Sequence, residues 1–196
     1  MSATHASHSP VLADLLPGSR VRDIALVLAG TVFVTVAGWI SIPLWFTPVP
    51  LSLATFAVLL TGAALGPLRA GLSIALFMVL GMVGLPMFAN QASGWAFASF
   101  GYIIGYLVAA IVVGALARRR ADRTFLGTFG MIAIGSLIIY AFGLPWLMGF
   151  LGVDLAQGLQ LGVVPFLVGD LIKTAAAALL LPATWKLVNR GSSNKE

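Results

Sequence analysis

The feature that most constrains this chain is a long apolar run, residues 159–187, that contains two opposite charges, Asp170 and Lys173. A membrane-spanning helix needs about 20 apolar residues, so the run is long enough to cross a bilayer. Both charges would then lie near the middle of the membrane, where each costs roughly 2.5–3.5 kcal/mol on insertion scales. Their i,i+3 spacing places them on one helical face. Ionisable residues in this setting usually pair and face the bundle interior, which makes the pair the leading candidate for a ligand site.

Composition indicates a membrane setting for the whole chain. Hydrophobic residues make up 60% of the 196 residues and charged residues only 9%, whereas a soluble domain has about 25% charged residues. There is no cysteine, and the two histidines, His5 and His8, lie in the N-terminal tail. The sequence therefore predicts neither a disulfide framework nor a metal site.

Apolar runs separated by proline and glycine breaks predict an all-α, integral membrane six-helix bundle. The predicted spans are residues 21–42, 51–65, 69–84, 95–116, 129–150 and 159–187. Gly66 and Pro67 separate the second span from the third, because proline cannot continue the hydrogen-bond ladder of a helix. We divide the chain into an N-terminal tail (1–20, with residues 1–19 expected to be disordered), a six-span membrane domain (21–188) and a C-terminal tail (189–196).

The basic residues predict the orientation. With six spans, both termini share one side of the membrane with the loops after spans two and four. Ten of the eleven Lys and Arg residues lie on that side, and the remaining one is Lys173. The positive-inside rule then places both termini in the cytoplasm of a multi-pass plasma membrane protein. The basic run at 118–123 is interpreted as part of this signal, so no nucleic-acid partner is predicted.

Two loops on the opposite, outer side have the make-up of a small-molecule pocket. Residues 43–50 read PLWFTPVP and residues 85–94 read LPMFANQASG. Aromatic and apolar walls with a few hydrogen-bonding groups are typical of ligand sites. We expect an extracellular-facing pocket under these loops, with Asp170 and Lys173 as its polar floor. The alternatives are that Trp45 is an interfacial anchor and that Asn90 is a solvated loop residue.

Small residues recur at four-residue spacing, which lets helices approach closely. Gly101 and Gly105 share a face of the fourth span, and Ala25 and Ala29 share a face of the first. Each pair is interpreted as internal packing unless it lies on an outward face, where it would mark a partner surface.

Missing motifs argue against an enzyme. The Lys173-Thr174 pair follows Ile172, where a phosphate-binding P-loop needs glycine, and neither G-x-S-x-G nor H-E-x-x-H occurs. The ionisable residues of the spans are almost entirely one Asp and one Lys. The chain is therefore not expected to catalyse a reaction or to hydrolyse ATP.

Five segments of the chain form a recognisable set: PVPLSL at 48–53, TFAVLLTGAALGP at 55–67, GMVGLPMFA at 81–89, GYIIGY at 101–106 and GDLIK at 169–173. Together they resemble the BioY family, the biotin-specific S components of energy-coupling-factor (ECF) transporters. The resemblance covers residues 22–187 in order. Ser52 and Ala54 depart from the family's P-x-P-x-T-x-Q, and FASFGY at 97–102 departs from its G-P-T-G-G-Y.

The resemblance implies a six-helix subunit that captures biotin from outside, beneath the outer loops. It also implies partners, namely a transmembrane T component and two cytoplasmic ATPases, which fits the missing P-loop. Ala25 and Ala29 match an A-x-x-x-A motif by which S components contact the T component. Biotin would be a transported ligand, and no cofactor is implied.

Biotin has a ureido ring with two N–H donors and a carbonyl, an apolar thiophane ring and a valerate carboxylate. We expect Asp170 to accept a ureido N–H, while Lys173 donates to the ureido carbonyl or stabilises Asp170. Asn90 would supply another ureido contact, and Tyr102 and Trp45 would wall the fused rings. The reverse pose, with Lys173 on the valerate, stays open, as does a purely structural ion pair.

Two alternative functions also stay open. The departures at Ala54 and at 97–102 allow an S component for another vitamin or for a biotin precursor. A structural or assembly membrane protein, in which the Asp170–Lys173 pair only orders the bundle, is the alternative from a different class.

Overall fold

The computed structural model describes residues 10–16, 18 and 20–193, with side chains up to residue 188. It is a helical bundle with one small sheet between the first two helices. In the described part of the chain, five helical stretches are long and apolar enough to cross a membrane, the last of them running from Leu155 to Val188. The elements are α1 (Arg20–Trp39), β1 (Ser41–Leu44), β2 (Thr47–Ser52), α2 (Ala54–Met82), α3 (Phe100–Ala117), α4 (Phe125–Leu151), α5 (Leu155–Gly162) and α6 (Leu167–Ser193).

The segment between α1 and α2 is a β-hairpin, so the all-α prediction is wrong for residues 41–52. Strands β1 and β2 pair antiparallel, with Ser41 opposite Ser52 and Leu44 opposite Thr47. Prolines at 43, 48 and 50 remove backbone donors, which excludes a helix but is tolerated on strands that have a free edge. As a result, α1 ends at Trp39 and α2 begins at Ala54, inside the boundaries predicted for the first two spans.

Helix α2 is broken at Gly66, as the sequence predicts. Gly66 has φ 79° and ψ 174°, and Pro67 follows it. Ala54 and Phe77 line the same cavity, whereas a straight helix would separate them by about 35 Å. The chain therefore folds back on itself at Gly66, and the two halves of α2 run in opposite directions.

The last predicted span is also interrupted, which corrects the position of Asp170. A short 3₁₀ turn at Val164–Phe166 separates α5 from α6, and Pro165 within it has no N–H for a continuous helix. Asp170 consequently lies in the first turn of α6 and not in the middle of a long helix. Helix α6 continues to Ser193, beyond the predicted boundary at 188. Helix α3 begins at Phe100, five residues after the predicted start at 95.

Part of the N-terminal tail is ordered, contrary to prediction. Val11 is fully buried, and the carboxylate of Asp14 pairs with the Arg69 guanidinium at 2.6 Å. Arg123 donates to the carbonyl of Pro10 at 2.9 Å. Burial alone would raise the pKa of Asp14, but the Arg69 guanidinium and the Val11 N–H hold that pKa below its usual value. Residues 1–9 lie outside the described part of the chain.

The small residues of α3 serve internal packing. A Cβ at Gly105 would lie 2.9 Å from the Ile139 Cα of α4, and one at Gly101 would lie 2.2 Å from the Trp146 Cβ. These separations are too short for any side chain, so α3 and α4 meet backbone to backbone. In contrast, Ala25 and Ala29 are exposed on α1.

We predict that Gly66→Ala destabilises the bundle. The backbone at Gly66 lies in a region that is essentially restricted to glycine, which costs a residue with a Cβ about 1–3 kcal/mol. The new Cβ would also lie 3.2 Å from Arg118 Nε. Thermal unfolding in detergent, followed by circular dichroism, should show a lower midpoint. The control is Gly130→Ala on α4, where a Cβ meets nothing within 4 Å and the helix should become slightly more stable. Equal midpoints for the two variants would contradict the prediction.

Candidate ligand-binding site

One end of the bundle holds a cavity of about 260 Å³. It lies beneath β2 and the loop after α2, as the sequence predicts for the two aromatic loops. Its walls come from the first turn of α2, from α3 and α4, and from the start of α6. The lining residues are mostly apolar or aromatic, with a few polar groups, the usual composition of a small-molecule site. The lining includes Ser52, Thr55, Phe77, Phe88, Asn90, Phe97, Ser99, Tyr102, Tyr106, Ser136, Tyr140, Asp170 and Lys173.

Asp170 and Lys173 form an ion pair in this cavity. Lys173 Nζ lies 3.3 Å from Asp170 Oδ1, and the two side chains are only 15% and 16% exposed, respectively. The position of Asp170 in the first turn of α6 places its negative charge near the positive end of the helix dipole. The pair contributes no net charge to the cavity.

Lys173 also connects α6 to the hairpin and to α2. Its ammonium group donates to the Ser52 carbonyl at 2.8 Å and to Thr55 Oγ1 at 3.1 Å. A lysine ammonium has three N–H donors. With Asp170 as the third partner, each donor has an acceptor within the protein.

The second oxygen of Asp170 accepts a hydrogen bond from the Tyr140 hydroxyl of α4. Tyr140 packs edge-to-face against Tyr102, with ring centroids 6.3 Å apart. Tyr102 in turn donates to the Gly162 carbonyl at 2.8 Å. Asp170 is therefore held from two sides, and its carboxylate retains acceptor positions for a ligand.

Sequence reasoning missed Tyr140 and also the lining residues Tyr106, Ser52, Thr55, Phe77 and Phe97. One signal was available for α4, because Ser136 and Tyr140 are polar residues four apart in an otherwise apolar span. That spacing places both on one helical face.

Aromatic rings form the apolar part of the wall. Phe88 is 2% exposed and packs against Phe77 and Phe97, with ring centroids 5.2 and 5.7 Å away. Trp146 donates to the Phe97 carbonyl at 3.0 Å, which fixes that segment against α4. Phe97, at a position where the sequence departs from the family pattern, is thus a wall residue of the cavity.

Asn90 lies at the mouth of the cavity, where it is both exposed and part of the lining. Its Oδ1 accepts a hydrogen bond from Ser41 Oγ at 2.8 Å, and its backbone N–H donates to the same hydroxyl at 3.2 Å. These contacts join the loop after α2 to β1.

The predicted place of Trp45 in the cavity wall is wrong. Trp45 is 96% exposed and does not belong to the cavity lining. It lies with Phe46 in the turn between β1 and β2, where the side chain points away from the bundle. Asp170, Lys173, Asn90 and Tyr102 do come together in the cavity. The exposed Ala25 and Ala29 of α1 are not part of its lining.

Long apolar helices surround a mainly apolar cavity that contains a half-buried ion pair. These features define a class of proteins, the multi-pass membrane proteins that accommodate a small molecule. The sequence model of the BioY family matches residues 6–190. The chain therefore belongs to the BioY family.

Several relatives are similar over most of their length. The chain is 37% identical over 160 residues to the biotin transporter BioY of Thermotoga maritima, covering 79% of this chain and 92% of the relative. It is 35% identical over 164 residues to the probable biotin transporter BioY of Pyrococcus horikoshii, covering 82% and 94%, respectively. The crystal structure of the S component for biotin from an ECF-type ABC transporter has the same fold, with a TM-score of 0.77 at 23% identity, over 85% of this chain and 92% of that one.

We predict that Lys173→Met destabilises the protein without any ligand, by about 3 kcal/mol, because the buried Asp170 loses its charge partner. The double variant Asp170→Asn/Lys173→Met should recover at least about 1 kcal/mol of that loss, since it removes the unpaired charge. Chemical or thermal unfolding in detergent measures both. Lys186→Met changes an exposed lysine of the same helix and should shift stability by less than about 0.5 kcal/mol. Equal stability of the single and double variants would show that the pair is not coupled.

Proposed function

We propose that this chain is the biotin-binding membrane subunit, or S component, of an ECF-type vitamin uptake transporter. Membership of the BioY family supports the proposal, as do the relatives named as biotin transporters. The observation that carries it is a half-buried carboxylate, Asp170, held in a cavity by Lys173 and Tyr140. A carboxylate with unused acceptor positions suits a ligand that offers N–H donors at one end and an apolar ring beside them.

In the proposed complex, Asp170 accepts a ureido N–H of biotin. A carboxylate has about four acceptor positions, of which Lys173 and Tyr140 use two. A hydrogen bond to a charged acceptor is roughly twice as strong as a neutral one. The aromatic wall around Phe88 and Tyr102 covers the fused rings, and Asn90 offers a neutral polar group at the mouth.

The contacts of Lys173 favour one of its two expected roles. Its three donors are already used by Ser52, Thr55 and Asp170. Lys173 therefore acts on the ligand through Asp170, whose carboxylate it orients, and it fixes the end of the hairpin above the cavity.

We further propose six membrane crossings, with both termini in the cytoplasm and the cavity open to the outside. The reversal at Gly66 divides α2 into two segments, which together with α1, α3, α4 and the α5–α6 run gives six. Arg118 approaches Gly66 at the end of the bundle where α2 reverses, and neither residue belongs to the cavity lining. The positive-inside rule assigns such a basic end to the cytoplasm.

A T component and a pair of ATPases are the proposed partners, because the chain has no ATP-binding motif of its own. The exposed Ala25 and Ala29 of α1 offer a shallow face on which another helix can approach closely. Large apolar side chains, including Ile24, Leu28 and Val32, surround them and are also exposed.

The direct test is equilibrium binding of biotin to the purified protein, wild type beside Asp170→Asn. The variant keeps the shape of the side chain but loses the charged acceptor, so we expect a loss of about 2 kcal/mol, roughly 30-fold in Kd. Asp154→Asn is the matched control, because Asp154 caps α5 outside the cavity and asparagine caps a helix equally well.

The outcomes separate the alternatives. Binding that survives Asp170→Asn would make the ion pair a structural feature only. If the wild-type protein does not bind biotin but binds a precursor or another vitamin, the result would support an S component of different specificity. A protein that binds none of these ligands would point to a structural or assembly role.

We predict that Ala25→Leu/Ala29→Leu prevents assembly with a T component and its ATPases. Two added isobutyl groups would keep the helices apart, so we expect co-purification to fall by at least about fivefold, while biotin binding stays unchanged. Ala183→Leu places the same group at an exposed position of α6 and should assemble normally. Normal assembly of the α1 variant would exclude this face as the contact.

A further inference from the structure

The cavity contains one cation, and that cation is fully engaged. Among the described side chains that line it, Lys173 is the only Lys or Arg. Its donors reach Ser52, Thr55 and Asp170 at 2.8, 3.1 and 3.3 Å. A ligand carboxylate could take a donor from Lys173 only by displacing one of these acceptors. Displacing Asp170 would bring two negative charges together. Displacing the Ser52 carbonyl or the Thr55 hydroxyl would leave that oxygen without this hydrogen bond.

No other described cation is placed to receive an acid group. Arg69 pairs with Asp14 and Asp23, and Arg123 stacks on the Trp185 ring. Arg118 lies beside Gly66. These contacts hold the three arginines away from the cavity lining.

The mouth of the cavity is polar but neutral. Asn90 and Pro48 line the cavity and are exposed, and Ser99 lines it as a half-buried hydroxyl. An amide and a hydroxyl can hydrogen-bond to a carboxylate, but they can do so equally well to a neutral carboxamide. An acid group at this mouth remains in contact with water.

From this distribution of charge, we infer that the protein recognises the ureido end of its ligand and makes no ion pair with the valerate group. The inference rests on the proposed function, and it extends the class of ligands from free biotin to biotin amides. Biotin whose carboxyl group is joined to an amine, such as biotinamide or biotinyl-lysine, is then a ligand of this site as well as free biotin. The amine-linked group extends past Asn90 and Pro48 into solvent.

The test compares ligands on the wild-type protein, so that it does not depend on the folding of a variant. Isothermal titration calorimetry measures Kd for biotin, biotinamide and biotinyl-lysine. We expect both amides to bind within about threefold of biotin, since no charged contact is lost. The matched control is biotin methylated on a ureido nitrogen, which should bind at least about tenfold more weakly because Asp170 loses a charged hydrogen bond.

A loss of at least about tenfold for biotinamide would show that a cation pairs with the valerate and would overturn the inference. Lys173→Met then locates that cation. If Lys173 holds the valerate, the ratio of the Kd values for biotinamide and biotin falls to about one in the variant. We expect that ratio to be near one in both proteins.

If biotin itself does not bind, the proposed function fails first. If biotin binds and the amides do not, only this inference fails.

Discussion

The hydrogen bonds around Asp170 and Lys173 connect parts of the chain that are far apart in sequence. Removing two charges from water costs several kcal/mol per ion. The attraction between them offsets this desolvation cost only when their remaining donors and acceptors are satisfied. Ser52 at the end of β2, Thr55 in the first turn of α2 and Tyr140 on α4 supply those partners. The ion pair therefore fixes the hairpin and three helices around the cavity.

The sequence predicts where the helices are interrupted, but it predicts less well which structure forms at each interruption. Gly66 and Pro67 mark a reversal, because the backbone at Gly66 has φ 79°, which is incompatible with a continuous helix. Three prolines likewise exclude a helix between α1 and α2, but they do not reveal that the two sides pair as a hairpin. Around Pro165 hydropathy is uninformative, since the chain is apolar on both sides of the break. For that reason, the sequence predicts one unbroken helix there and does not reveal that Asp170 lies in the first turn of α6.

For the site, local spacing identified Asp170 and Lys173 because charges are conspicuous in an apolar run. The composition of the loop at 85–94 added Asn90, and the resemblance to the BioY family added Tyr102; both residues line the cavity. Trp45 was misplaced because an aromatic residue in a hairpin turn can face either way, and no neighbouring sequence decides which. Tyr140 was missed because its role depends on a tertiary contact between α4 and α6. The polar spacing of Ser136 and Tyr140 marks a face of α4, but it does not show that this face meets Asp170.

The face of α1 that carries Ala25 and Ala29 is linked to the cavity through α2. Thr31 donates to the Ser73 carbonyl at 3.0 Å, and Ser73 donates to the Val27 carbonyl at 3.0 Å. These bonds lie between largely apolar helices, where an unsatisfied polar group is expensive, so α1 and the second half of α2 are expected to move as one body. That half of α2 carries Phe77 into the cavity wall. The exposed face of α1 is therefore joined by hydrogen bonds to the half of α2 that forms part of the aromatic wall.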